Sequence, residues 1–337
     1  MEKLLKINLQ LFAEMNTNTT GSEGLTDEMK TFYSDYLIDE ASPKLVHDQF
    51  GQKHPIPQNG GKTIEFRKYS PLGKLTTPLQ EGVTPNGQSL NVTKIESTVQ
   101  QYGGYVTISD MLQLTAIDNN MVQATKLIGN QAGMSLDTIT RDVLNGGTNV
   151  LYSGELIEDR EDLVGGSANE AENCYLTVND IKKAVKILKD QNAPKIDNSY
   201  VAIIHPDVAF DLTNDPKWEN VKTYCDPEDW YAGEIGRIAG VRFVETTEAK
   251  IWAGEEGGKD GRAVYSTLVL GDDAYGVTEI EGGGLKHIIK QLGSAGTADA
   301  LDQRATVGWK ATKTAERLVE NYMVRIESCA TTNGKAN

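Results

Sequence analysis

Apolar positions step by three or four residues from Leu114 through Ile117, Met121, Ala124, Ile128, Ala132, Ser135 and Ile139 to Val143. This is the longest periodic run in the chain, and its period predicts an amphipathic helix. Ser109 or Asp110 can cap the start, and Asn145-Gly146-Gly147 offers a left-handed stop. One helix of about 35 residues is therefore predicted, roughly 50 Å long at ~1.5 Å per residue. A helix of that length with so narrow an apolar stripe reads as a structural beam.

Ahead of it the pattern alternates instead. Thr63–Tyr69, Asn91–Gln100 and Tyr105–Ile108 read as strands, and the first two enclose "SPLGKLTTPLQEGVTPNGQSL", rich in proline and glycine with few large apolar side chains. Such a segment has no evident core, so a long hairpin projecting from the body is predicted. An irregular loop beyond ~15 residues usually carries a function or is disordered. Residues 14–31 are polar and read as a mobile arm. Residues 32–50 read as short helical pieces around Pro43.

After the beam, "LTVNDIKKAVKILKDQNAP" places Val178, Ile181, Val185 and Leu188 on one helical face and Lys182, Lys183, Lys186 and Lys189 on the other. Thr177 and Asp180 have the spacing of a capping box. "YVAIIHPDVAFDLTND" reads as a buried strand leading to a helix with Pro206 in its first turn. The remaining apolar runs, "VRFVET", "AVYSTLVLG", "AYGVTEI", "LKHIIKQLG", "ATVGWKA" and "RLVENYMVRIE", all read as strands. The mixture predicts an α+β chain with no internal repeat.

Composition narrows the function. Of 337 residues, 39% are hydrophobic and 24% charged, the profile of a globular chain. Lys and Arg total 33 against 48 Asp and Glu, a formal charge of -15 that opposes a sequence-reading role on nucleic acid. The charge is uneven. Glu155, Glu158, Asp159, Glu161, Asp162, Glu170 and Glu172 cluster around a single Arg160, whereas Lys62, Arg67, Lys68, Lys74 and Lys94 outnumber Glu65, Glu81 and Glu96. Contact between the two segments on neighbouring copies is one expectation. Cys174, Cys225 and Cys329 lack the spacing of a disulfide framework or a zinc ribbon. No apolar run approaches ~18 residues, so no membrane span is expected. In "MEKLLKINLQLFAEM", Asn8 and Gln10 interrupt a signal-like start, and a cytosolic product is expected.

No motif for catalysis stands out. In "GEIGRIAGVRFVET" the glycines Gly233, Gly236 and Gly240 have the wrong spacing for a dinucleotide loop and precede a strand, so a tight turn is predicted. Cys225, Asp226, Glu228 and Asp229 lack a nearby histidine and the alternation of a calcium loop, and read as a solvated turn. His205 stands where a strand becomes a helix, but no nucleophile accompanies it at a known spacing, and a helix-terminal hydrogen bond is predicted. Asp272-Asp273 reads as a turn. No cofactor, no metal and no enzymatic activity are expected.

Four stretches in order, "NLQLFA", "YVAIIHPDVAFDLTND", "GEIGRIAGVRFVET" and "ATVGWKATKTAERLVENYMVRIES", resemble the major capsid proteins of tailed bacteriophages with the Hong Kong 97-type fold. The branch is that related to the capsid protein of the Escherichia phage N-four. The resemblance implies an N-terminal arm with short helices over 1–58 and an extended loop hairpin over 59–108. A peripheral domain with the long spine helix would follow over 109–174, an axial domain over 175–300, and returning peripheral strands over 301–337. It also implies self-assembly as hexamers and pentamers into an icosahedral shell around double-stranded DNA, without sequence-specific binding. Portal protein and a separate scaffolding or decoration protein are the other implied partners. The chain would be made in the host bacterial cytoplasm and end in the virion. The founding member crosslinks its subunits through lysine and asparagine, but nothing marks Lys62, Lys68, Lys74 or Lys94 as reactive. The expected assembly contacts are Arg67, Lys68 and Lys74 against Glu155, Glu158, Asp159, Glu161 and Asp162. Two rival readings stay open: an encapsulin-type compartment shell, and an α/β enzyme with a site near His205 and Asp272.

Overall fold

The computed structural model describes residues 17–18, 46–69, 72–78, 81–82, 84, 87–115, 120–154, 157–169, 172–218, 237–294 and 299–337. The expectations for the arm, apart from Thr17–Asn18, for the pieces around Pro43, apart from 46–50, which form a turn and not a helix, and for the turn at Cys225 to Asp229 lie outside the described residues. The chain forms two compact units. One gathers Met1–Pro43, Tyr102–Gly133 and Leu285–Ala311; the other gathers Lys44–Gln101, Met134–Gly284 and Thr312–Asn337.

In the first unit, β1 (Thr17–Asn18) lies parallel to β5 (Gln100–Ser109). The first part of β14 (Arg304–Arg317) runs between β5 and β13 (Lys286–Lys290). One sheet face is closed by Ala305, Val307 and Trp309, all buried, and the Trp309 indole donates to Gln131 at 3.2 Å. Helix α1 (Asp110–Thr115) begins where Ser109 Oγ accepts from the Leu112 amide, the cap expected of that serine. Leu114, placed inward by the periodicity, is exposed.

The predicted beam is two described helices. After α1 comes α2 (Asn120–Asn145), 26 residues or about 39 Å at 1.5 Å each, with 116–119 outside the described residues. In its first half the buried positions follow the predicted stripe: Met121, Ala124, Ile128 and Ala132. In the second half, within the second unit, the buried face shifts by one residue to Leu136, Asp137, Thr140, Arg141 and Leu144. Hydropathy placed the polar three outside. They are held by specific partners: Asp137 by His47, Thr140 by Asp48, and Arg141 by the Glu248 carbonyl at 3.1 Å. Each buried polar group is offset by a hydrogen bond, so burial is tolerated.

The helix stops at Asn145 as expected, but not by a left-handed glycine, because neither Gly146 nor Gly147 has positive φ. Arginines take the terminal carbonyls instead. Arg317 donates to Val143 at 2.7 Å, and Arg325 donates to Asn145 and, at 3.1 Å, to Gly147. Cationic donors at a helix C-terminus also answer its dipole. The glycines make room: a Cβ on Gly146 would lie 2.6 Å from Arg317 Nη1, and one on Gly147 2.6 Å from Glu320 Oε1.

The second unit is built on a sheet ordered β6-β15-β11-β7-β9-β8, from Val150–Tyr152, Met323–Cys329, Val264–Leu270, Tyr200–Ile204, Val241–Glu245 and Arg237–Ile238. The short β10 (Ile251–Trp252) pairs with β11. Every residue of β7, β11 and β15 is buried. Helix α3 (Val178–Asp190) lays its predicted apolar face on this core, which also takes in Ala202, Ile204, Val269, Val324 and Ile326. Thr177 and Asp180 form the predicted reciprocal capping box. Helix α4 (Pro206–Thr213) follows β7, with proline at its first turn. "LVEN" is not strand: β14 ends at Arg317, and a 3-10 turn at Glu320–Tyr322 leads into β15. Also in this unit, β12 (Tyr275–Thr278) lies between the end of β14 and β2 (Gln52–Lys53).

Candidate assembly surface

Two strands of the second unit, β3 (Thr63–Tyr69) and β4 (Val92–Thr98), pair antiparallel from Thr63 opposite Thr98 to Tyr69 opposite Val92. They form a two-stranded sheet of their own, the predicted hairpin. Its inner face is anchored near the base. Ser97 and Thr314 share a hydroxyl bond at 2.9 Å, and the Phe66 ring lies 3.2 Å from where Gly276 would carry a Cβ.

The outer face puts like charges directly opposite, Glu65 with Glu96 and Arg67 with Lys94. Such pairs repel unless diagonal neighbours compensate. Here they do. Arg67 donates to Glu65 at 2.8 Å, and Lys94 reaches Glu65 at 3.4 Å and also Glu96. The bonds from Arg67 and Lys94 hold the Glu65 carboxyl below the usual carboxylate range. Arg67, one of the expected assembly contacts, is thus paired within its own hairpin. Lys68 stands on the opposite face, across from Thr93, and Lys74 lies in the connecting segment; both are exposed.

The connecting segment carries more apolar surface than its composition suggested. Tyr69, Leu72, Leu75, Leu90 and Val92 are all exposed, Leu75 by 80%. A lone exposed leucine means little, but five exposed large apolar side chains within and beside one loop, two of them directly opposite as Tyr69 and Val92, are the kind of exposure that marks an interface. The signal was in the sequence as leucines spread among prolines and glycines, where no period gathers them.

On the acidic side, Glu158, Asp159, Glu161 and Asp162 are exposed, the last two in the 3-10 turn Arg160–Asp162; Glu155 lies outside the described residues. Arg160 does not neutralise them. It makes a two-pronged ion pair with the buried Glu327, at 2.6 and 2.8 Å, while its guanidinium lies 3.7 Å from the centre of the Trp252 ring. The turn is pinned from beneath and its carboxylates face outward.

The remaining candidates resolve into structure. Gly240, with Ala239 at φ 52° and its own φ at 82°, makes a two-residue turn between β8 and β9; Gly233 and Gly236 lie outside the described residues. Positive φ at both central positions is the geometry of a tight hairpin, not of a phosphate cradle. His205 caps α4, its Nδ1 accepting from the Asp207 amide at 3.1 Å, and burial pushes its pKa down. Asp207 accepts in turn from the Tyr265 hydroxyl at 2.8 Å. Asp272 and Asp273 turn the chain between β11 and β12. Cys174 and Cys329 are free and buried, and burial pushes the Cys329 thiol up to about 12, next to Cys174. Among the described residues no group of three metal-ligating side chains occurs, and no helix is long and apolar enough to cross a membrane.

Residues 93–313 match the family model described as phage capsid protein. Solved structures share the fold over nearly the whole chain. The Ralstonia phage GP4 capsid aligns with TM-score 0.63 at 13% identity, covering 97% of this chain and 100% of that one. The Cyanophage Pam1 capsid gives 0.63 at 13%, covering 95% and 100%, and the Cyanophage P-SCSP1u capsid 0.58 at 15%, covering 95% and 94%. No curated protein sequence matches the chain. With a family match over well more than half its length and a fold shared with phage capsids end to end, the chain belongs to the phage capsid protein family and has the Hong Kong 97-type fold.

Proposed function

We propose that this chain is the major capsid protein of a tailed phage, assembling with copies of itself as hexamers and pentamers into the icosahedral head shell that encloses double-stranded DNA. The observation that carries the reading is the hairpin. Its base is tied to its own subunit through Ser97 and Phe66, while its tip offers Tyr69, Leu72, Leu75, Leu90 and Val92 to solvent. Burying that patch on a neighbour stabilises a contact that the isolated subunit lacks.

In this reading residues 59–108 are the extended loop and 1–58 the arm. Residues 109–174 with 301–337 are the peripheral domain, and 175–300 the axial domain. Lys68 and Lys74 supply charge complementarity to Glu158, Asp159, Glu161 and Asp162 of another copy, with the apolar tip as the main source of affinity. Rim charges of this kind act more on orientation than on strength. A portal at one vertex and a separate scaffold complete the assembly. Electron microscopy of the purified chain tests the reading. Closed shells of uniform diameter are expected, and particles that stay the size of one subunit at all concentrations would refute it.

A further inference from the structure

The first unit carries a face at odds with the net charge of -15. On the sheet side opposite Trp309, Lys286, Lys290, Arg304 and Lys310 all project from β13 and β14. Within the first unit no carboxylate shares that side of β5, β13 or the part of β14 up to Ala311. Asp299 and Asp302 sit in the turn before β14; Asp299 accepts from the Arg304 amide at 2.8 Å and lies 3.7 Å from its guanidinium.

Lys286 stands directly opposite Lys310 in the ladder. A like-charge pair in that position is destabilising. In the hairpin the equivalent pair, Arg67 and Lys94, is relieved by Glu65 and Glu96. No ion pair relieves Lys286 and Lys310 among the described residues. Between the cations the floor is low. A Cβ on Gly103 would lie 2.6 Å from the Trp309 carbonyl, and one on Gly308 2.9 Å from Tyr105 Cβ, so both positions stay bare. The result is a cleft of about 420 Å³ flanked by the exposed Tyr105 and Ile288.

We infer that this face is a docking surface for the phosphate backbone of double-stranded DNA, an inference that rests on the capsid reading. A protein partner fits it poorly. Protein interfaces are depleted in lysine at their cores, and closing one over Lys286 and Lys310 would bury two like charges. Phosphates meet lysines as solvated point-charge contacts and carry no demand for sequence. The small floor lets a backbone approach, and Tyr105 adds a hydroxyl donor at its edge.

The test titrates the full-length chain into a short labelled duplex of mixed sequence and follows fluorescence anisotropy. For four phosphate contacts, affinity should fall roughly a hundredfold between about 50 and 200 mM salt. The variant Lys286→Gln/Lys290→Gln/Lys310→Gln should bind far more weakly, with a remaining salt effect of roughly threefold. The control Lys182→Gln/Lys186→Gln/Lys189→Gln, on the exposed face of α3, should bind like the parent. Electron microscopy of each variant reads shell formation separately. Shells with lost duplex binding support the inference. A parent that does not bind, a triple variant that binds unchanged, or one that keeps duplex binding but forms no shells would overturn it; the last would assign the face to another copy. Absence of shells from the parent chain itself would count against the capsid reading instead.

Discussion

Arg160 and Glu327 form a two-pronged ion pair across 167 residues of sequence, with the carboxylate side chain wholly buried. Glu327 is shared: Arg325 Nε lies 2.8 Å from its Oε1 on the same strand. Removing the carboxylate strands two cations, whereas removing Arg160 leaves Glu327 with a partner. Glu327→Ala should therefore cost about 3–5 kcal/mol, the usual penalty for breaking a buried pair from one side. Arg160→Met should cost clearly less. Urea unfolding of the unassembled subunit measures both, and equal losses would contradict this division of roles.

At the β8–β9 turn, Ala239 adopts a left-handed conformation that suits asparagine or glycine better. Ala239→Asn should raise stability by about 0.5–1 kcal/mol, and Gly240→Ala should lower it by about 1–2 kcal/mol. Thermal melts of the two variants check the pair. A neutral Gly240→Ala would mean that the turn is not held in this geometry.

His205 gives the fold a dependence on pH. Burial lowers its pKa from 6.5, and its Nδ1 must be unprotonated to accept from the Asp207 amide. A base whose folded pKa is depressed takes up a proton more readily when unfolded, so stability is full above the unfolded value and falls as the pH drops below 6.5. The effect lies above the carboxylate range, which separates it from Glu65. His205→Asn keeps a capping acceptor without the titration. Denaturant midpoints at mildly acidic and neutral pH should converge for that variant, and an unchanged gap between them would remove His205 as a cause.

How far the sequence could be read depends on which interactions decide each element. Helix α3 and the β7–α4 turn were legible because Thr177, Asp180 and Pro206 act on neighbours a few residues away. The hairpin was legible from two alternating runs around a segment with no core. The buried face of α2 beyond Ala132 was not, because Asp137, Thr140 and Arg141 are held by His47, Asp48 and Glu248, about 90 to 107 residues distant in sequence. Its C-terminus misled for the same reason: Gly146 and Gly147 look like a left-handed stop but make space for Arg317 and Glu320. Of the proposed contact residues, charge counting singled out Lys68, Lys74 and the acidic turn, which are exposed, and Arg67, whose charge is answered by Glu65; it gave no sign of the exposed leucines of the connecting segment.

The central claim is that the hairpin tip serves a neighbour and not its own subunit. Replacing residues 72–88 with a short Gly-Ser linker removes Leu72, Leu75 and Lys74 and leaves the paired strands in place. The segment supplies no buried apolar side chain among its described residues, so its loss should shift the melting temperature of the subunit little. Calorimetry of the subunit paired with electron microscopy of the assembly reaction is the most direct measurement. The account predicts an almost unchanged melt and no closed shells; normal shells from the shortened chain, or a subunit that no longer folds, would contradict it.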